Sequence, residues 1–415
     1  MSTYGYLYGD YRETTPYISE WAKNASKFTM TEASSNYTIP TTSSLMTSKR
    51  VWTHGLYNAN GYSINADTEN LPLLLKNSGY YNIALIQNPL LSVETLGISK
   101  SFDIAIPVEE FMKPRSVISV TTRWLFQLFG NKYRTYNGLI QSAFLGQIFY
   151  SSIPIKVTST EYPPEKVFNR FLEIIENNPP EPFFAWLHVF PPHDPYLPPD
   201  PFMGMFDSSQ KLRTEKSQWL SDDFDTARAR YDEYIKYCDK TFENFIKEFS
   251  GHIKNTVIIL SADHGHSFAH SYRGHGGPHL YEQLTNIPLI IMEPDQTQGR
   301  IIDDVVEQID IAPTILELAG IPLPSWMEGR SLIPLVKGKE LTLKPALSMY
   351  LEKNPKLQEI TEGTFAVWDG DYKLIHYLKE NKSLLFNLKQ DRGELDNLFT
   401  TESRSGSTAS KSNSG

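Results

Sequence analysis

Thr256-Val257-Ile258-Ile259-Leu260-Ser261-Ala262-Asp263-His264-Gly265 is a short apolar run, rich in β-branched residues, that breaks abruptly into titratable side chains. A continuous apolar segment of this length reads as a strand buried on both faces, the habit of parallel sheets wound by helices. In such sheets ligands bind beyond the carboxyl ends of the strands, so Asp263 and His264 emerge where chemistry is expected. His266, His270, His275 and His279 follow, and with His264 they are half of the chain's ten histidines. A carboxylate oxygen beside imidazole nitrogens suits a divalent cation such as Zn²⁺ or Mn²⁺. The competing reading is a polar loop whose histidines bond only to backbone; so many histidines after one strand argue for the metal.

Outward from this stretch, strand-like runs alternate with helical patterns to about residue 320, which predicts a doubly wound, largely parallel α/β sheet with helices on both faces. Leu71 to Ser78 reads as a helix, Tyr81 to Ile86 as a strand and Glu165 to Asn177 as an amphipathic helix. Phe183 to Phe190 is a second buried strand, delivering His188 and then Pro191-Pro192-His193-Asp194-Pro195-Tyr196 to the sheet edge. Asp222 to Phe249 is one long helix whose apolar stripe includes Cys238. From Ala346 the pattern turns strand-like, with Thr364–Trp368, Tyr372–Tyr377 and Ser383–Leu388 separated by turn signals, a small antiparallel sheet. The organisation is therefore an α/β core over 1–345, a β subdomain over 346–400 and a disordered tail over 401–415. Aromatic-rich amphipathic helices fill about 115–155; they read as a packed helical pair, a lid, or a surface for a membrane or a second subunit.

The 415 residues carry a net charge of −9 without clustered Lys and Arg, which excludes a nucleic-acid partner. Cys238 is the single cysteine, so neither an intrachain disulfide nor a thiolate cluster can form, in keeping with a reducing compartment. The sequence opens without a signal pattern and holds no apolar run of membrane-spanning length, so the expectation is a soluble, cytoplasmic protein.

Several segments, in order along nearly the whole chain, resemble one family. They are Tyr4-Gly5-Tyr6 with Thr14-Thr15-Pro16; Tyr37-Thr38-Ile39-Pro40-Thr41-Thr42; Pro191 to Tyr196; Asp263-His264-Gly265 with Leu280-Tyr281-Glu282; Asp310 to Gly320; and Asp371 to Ile375 with Leu385 to Leu388. The family is that of the sulfatases and sulfatase-like phosphohydrolases and phosphotransferases of the alkaline phosphatase superfamily. The resemblance implies an alkaline phosphatase-like fold and a metal-dependent esterase or transferase. It makes Thr38 the nucleophile and a metal ligand beside Asp263 and His264, and His193 the group that faces the transferred moiety. Thr42, His275 and His279 fall to substrate binding, with His275 or His279 able to hold a second ion; Zn²⁺ or Mn²⁺ is expected over Ca²⁺, and one or two ions.

Two departures shape the expectation. In sulfatases the nucleophile is a cysteine or serine oxidised to formylglycine, and an arginine closes the motif. Here Thr38 and Thr42 stand at those positions, and a secondary alcohol cannot yield the aldehyde. Threonine resembles the branch that passes phosphoryl groups through a phosphothreonine, so phosphate esters of small molecules, lipids or sugars are the expected substrates. A sulfuric ester hydrolase using unmodified Thr38, or an inactive binding module, is the alternative. The family's first strand also carries an acidic pair that completes the metal site. Only Met1, Ser2 and Thr3 precede Tyr4, so an upstream start is expected to supply that pair. Thr38 has a second, compatible reading as the N-cap of a helix beginning after Pro40, whose amides would face an oxyanion.

Overall fold

The computed structural model describes residues 12–58, 69–111, 162–207 without 195 and 197, and 224–399 without 343, 356 and 357. The aromatic segment at 115–155 and the tail from 401 lie outside the described residues.

The architecture is α/β with a small antiparallel sheet at the C-terminal side. Strands β1 (Ser26–Glu32), β2 (Tyr81–Ile86), β3 (Ile104–Ile106), β4 (Phe183–His188), β5 (Ile258–Ser261), β8 (Leu289–Met292) and β9 (Arg300–Glu307) build the core, with a hairpin of β6 (Ser267–Ala269) and β7 (Tyr272–Gly274) after β5. β3, β2 and β4 form a parallel sheet in that order. β5, β8, β1 and β9 form a mixed one, in which β9 runs parallel to β1 and β8 runs antiparallel to both its neighbours.

The two sheets behave as parts of one layer. Because strand side chains alternate between faces, Ile83 and Leu85 of β2, Ala185 and Leu187 of β4, Ile258 and Leu260 of β5, and Ile290 and Met292 of β8 all pack into one apolar cluster. That cluster is closed by Phe171 and Phe245 from two long helices, one at Glu165–Glu176 and one at Phe224–Glu248. On the opposite face Ile86 and Trp186 meet the helix Thr38–Thr47 through Ile39 and Met46, while Leu289, Ile291 and Ile259 meet Ile311 of the helix Ile311–Leu318. Helices therefore cover both faces, as the alternating pattern predicts. The edges β4 and β5 are half-buried along their lengths, whereas their inner neighbours β2 and β8 are buried. No ladder hydrogen bonds join β4 to β5 among the described residues.

Strands β10 (Ala346–Tyr350), β11 (Thr364–Asp369), β12 (Tyr372–Tyr377) and β13 (Lys382–Asn387) form an antiparallel meander. The pairing of Asp369 with Tyr372 leaves Gly370-Asp371 as a two-residue turn, and Gly370 takes the positive φ of 58° that such hairpins require. Lys373, fully buried, anchors this sheet to the core by ion pairs of 2.9 Å to Glu282 and 2.7 Å to Glu394. No described helix is long and apolar enough to cross a membrane.

Candidate active site

Asp263 follows the carboxyl end of β5, and three contacts fix it there. Its carboxylate accepts the backbone amide of His264 at 2.9 Å, the His264 ring nitrogen Nε2 lies 3.5 Å away, and its backbone carbonyl accepts from the Gln308 amide at 2.8 Å. Gly265 must be glycine here, because a Cβ would stand 2.1 Å from the Gln283 carbonyl oxygen. Burial alone would push the Asp263 carboxyl up. The charges of His264 and His188, the His264 amide and the Thr38 hydroxyl outweigh it and hold the group below its ordinary value.

Thr38 opens the helix Thr38–Thr47, with Tyr37 as N-cap residue and no capping side chain. The expected N-cap role of Thr38 is thus not what the chain adopts. The helix starts two residues before Pro40 because proline is tolerated in the first turn, where amides have no intrahelical acceptor. The Thr38 hydroxyl turns away from the helix axis. It lies 3.1 Å from His264 Nε2 and also hydrogen-bonds the Asp263 carboxylate. His264 Nδ1 is engaged with the Gly265 carbonyl at 2.8 Å, so in the neutral ring Nδ1 carries the proton and Nε2 presents its lone pair to Thr38. An ionised carboxylate, an imidazole lone pair and a hydroxyl facing one another, with the imidazole oriented by a backbone carbonyl, fit a divalent cation.

A second group of rings adjoins this one. The His275 ring centroid lies 4.7 Å from that of His264, 4.8 Å from that of His193 and 5.3 Å from that of His266. His193 Nδ1 contacts the Asp194 carbonyl at 2.8 Å and its carboxylate at 3.1 Å. Tyr196 Oη meets His266 Nε2 at 2.5 Å, and His266 Nδ1 meets His275 Nδ1 at 3.3 Å. Burial, followed by the charges of His264 and His193, lowers the pKa of His275 far below the ordinary value and that of His266 to about 3, so both rings are neutral at pH 7.

Of the residues singled out in the sequence, Thr38, Asp263, His264, His275 and His193 come together. Thr42 lies one turn beyond Thr38 in the same helix and is buried. His279 goes elsewhere: its ring packs on Tyr272 at 4.7 Å and on Tyr281 at 5.9 Å. His188 and His266, which the sequence places at the sheet edge and in the histidine run, lie in the same cluster, and Asn36 and Gln308 are additions that motif spacing does not single out. His188, at the end of β4, is lowered in pKa by burial, and its Nδ1 is shut from solvent with no hydrogen-bond partner among the described residues. Asn36, two residues before Thr38, donates its side-chain amide to the carbonyls of Gly276, Gly277 and His279 and so ties the His275 loop to the Thr38 helix. Cys238 takes no part; burial pushes its thiol up to about 12.

A family model described as Sulfatase matches residues 2–321, and one described as N-sulphoglucosamine sulphohydrolase, C-terminal, matches 276–411. A Delta 4,5-hexuronate-2-O-sulfatase of Bacteroides thetaiotaomicron is 28% identical over 197 residues, 46% of this chain and 40% of the relative. Arylsulfatase K of Homo sapiens is 33% identical over 156 residues, 35% of this chain and 28% of the relative. The chain thus spans less than half the length of these two relatives. The solved phosphonate monoester hydrolase of Agrobacterium radiobacter superposes with a TM-score of 0.69 at 17% identity, covering 95% of this chain and 88% of that one, a likeness of fold.

Proposed function

Since the chain belongs to the sulfatase family, we propose that it is a divalent-metal-dependent ester hydrolase in which the Thr38 hydroxyl oxygen attacks a phosphate or phosphonate ester. The observation that carries this reading is the 3.1 Å contact of Thr38 Oγ1 with His264 Nε2 beside the Asp263 carboxylate. Asp263, His264 and Thr38 would hold the cation, which when bound lowers the pKa of a coordinated hydroxyl and offsets negative charge on the ester.

The protein's own groups do the rest. Asp263 and His264 contact the Thr38 hydroxyl, so it is oriented before substrate arrives. The amides opening the helix Thr38–Thr47 lie beside the attacking oxygen and favour an anion there. Attack forms the Thr38 O–P bond and breaks the bond to the leaving alcohol, and the proton that Thr38 gives up ends on the leaving oxygen; His193, joined to His264 through His275, is the residue assigned to pass it. Water then displaces Thr38 from phosphorus, releasing phosphate and restoring the hydroxyl.

Phosphorus is favoured over sulfur because Thr38 cannot become the aldehyde whose hydrate expels sulfate. The sulfatase names of the relatives favour the second reading, hydrolysis of a sulfuric ester through unmodified Thr38. Mass spectrometry of protein quenched in acid during turnover of a nitrophenyl phosphate ester tests the proposal. A phosphoryl group on the peptide carrying Thr38, absent from Thr38→Ala, is the expected result; an unmodified peptide under turnover overturns it.

A further inference from the structure

We propose that the cavity between the small antiparallel sheet and the His275 loop is a subsite for an ammonium group carried by the alcohol of the ester, with Glu352 as its carboxylate and Tyr350 as its aromatic wall. The assignment rests on the reading that Thr38 attacks such an ester, and it names the class of alcohol that leaves.

The cavity, of about 100 Å³, is lined by Pro278 from the His275 loop, by Tyr350 and Glu352 at the end of β10, and by Gly363 and Thr364 at the start of β11. Gly363 lets two of its walls meet: at a φ of 151°, a Cβ there would stand 2.7 Å from the Tyr350 carbonyl oxygen. The volume takes a head group of a few non-hydrogen atoms rather than a whole substrate. The Tyr350 ring meets that of Tyr37 edge to face, with centroids 6.2 Å apart, and Tyr37 directly precedes Thr38. Tyr272 Oη holds the loop on this side, donating to the carbonyls of His275 at 2.9 Å and Gly276 at 2.6 Å. An alcohol chain that starts at Thr38 and runs past Tyr37 and Tyr350 ends at Glu352.

Charge decides what that end carries. Glu352, Glu362 and Glu380 line the cavity with Lys353 and Lys379, so three carboxylates stand against two ammonium groups. Both lysines turn to Glu362, Lys379 at 3.0 Å and Lys353 at 4.0 Å. Glu352 is left with the Tyr350 hydroxyl, which donates to it at 2.5 Å, and no cation pairs with it among the described residues. Burial, reinforced by the Glu352 charge, raises the phenols of Tyr37, Tyr350 and Tyr272 above their ordinary value, so the rings stay neutral and offer π faces. A carboxylate beside such rings suits an ammonium ion, which gains from the ring face as well as from the charge. A metal ion asks instead for several ligands converging on one point, and among the described residues no set of three His, Cys, Asp or Glu ligand atoms converges here.

The test uses aminohexanol, whose chain ends in an ammonium group, and heptanol, its uncharged counterpart of equal length. Dissociation constants with the full chain are read by ligand-observed NMR. That measurement needs no turnover, so Thr38→Ala is expected to bind aminohexanol as the unsubstituted chain does, and the outcome stands apart from whether Thr38 is the nucleophile. Aminohexanol is expected to bind about fivefold or more tightly than heptanol. Glu352→Gln, altered at an exposed side chain and so expected to fold, brings the two alcohols within about twofold of each other. Tyr350→Phe keeps the ring, removes the hydrogen bond and reduces the preference by a smaller factor. The phosphate monoesters of the two alcohols are expected to show the same preference in KM, lost in Glu352→Gln. An undiminished preference for aminohexanol in Glu352→Gln overturns the proposal, as does a binding preference with no counterpart in the KM of the two esters.

Discussion

Two clusters of ionisable groups lie in this molecule, and they are built in opposite ways. Around Lys373, Glu282 and Glu394 are closed off from solvent and reach the ammonium directly, Trp368 lies under it with the nitrogen 4.5 Å from the ring centroid, and Glu32 completes the group. Burial raises the pKa of Glu32 well above the ordinary value, so the group gathers little charge that Lys373 does not face. Around Thr38 the histidines crowd one another, Asp263 is ionised and 24% exposed, and the hydroxyl points at acceptors. A cluster that neutralises itself out of water holds a sheet in place. One left unbalanced at the end of strands is poised to take a ligand.

That contrast breaks most visibly at Lys373. Lys373→Met leaves buried carboxylates without their cation and is expected to cost about 3–5 kcal/mol, whereas Thr38→Ala should shift the melting temperature little. Comparable losses in thermal unfolding of the two variants would erase the distinction. Next in size is Gly265→Ala, whose Cβ meets the Gln283 carbonyl oxygen at 2.1 Å. Relief of that clash should cost about 1–3 kcal/mol and, by moving His264, lower turnover by roughly 10²-fold. Wild-type stability and rate in this variant would mean that the Asp263 loop is not held as described.

A smaller effect is read in pH. Burial, partly offset by Lys373, pushes the Glu394 carboxyl up to about 7 from 4.5. The folded chain then binds more protons than the unfolded one between those values, so this group's contribution to stability is present below about 4.5 and is lost as pH rises toward 7. The slope is at most about 1.4 kcal/mol per pH unit. Glu394→Gln should flatten that slope in unfolding measured from pH 4.5 to 7.5; an unchanged slope would place the titration elsewhere. Smallest is Asn36→Ala, expected to loosen the His275 loop by about 1–3 kcal/mol locally and to speed amide exchange at Gly276, with global melting almost unmoved.

Much of this was legible in the sequence because apolar periodicity and burial agree. The strand Tyr81–Ile86 and the helix at 165 fall where alternation and amphipathic spacing put them. Ser26–Glu32 and Arg300–Glu307 are strands that polarity hides: Lys27, Asp303 and Asp304 sit among their apolar residues, and pairing of the two strands decides the conformation. Asp263 and His264 could be read from their place after β5. The supports could not, since Gln308 reaches Asp263 across 45 residues of chain and Asn36 reaches the His275 loop at Gly276 across 240. The N-cap reading of Thr38 failed on a local rule, the tolerance of proline in a first helical turn.

In the proposed mechanism Thr38 supplies the attacking oxygen and phosphorus is its target. That mechanism is tested most directly by rates on matched nitrophenyl phosphate, phosphodiester and sulfate esters with Zn²⁺ or Mn²⁺, for the full chain and for Thr38→Ala. Faster turnover of the phosphate esters is expected, with a loss of about 10³-fold or more in Thr38→Ala. Faster sulfate turnover that disappears in Thr38→Ala would contradict the choice of phosphorus, and equal rates in the two proteins would contradict Thr38 as nucleophile.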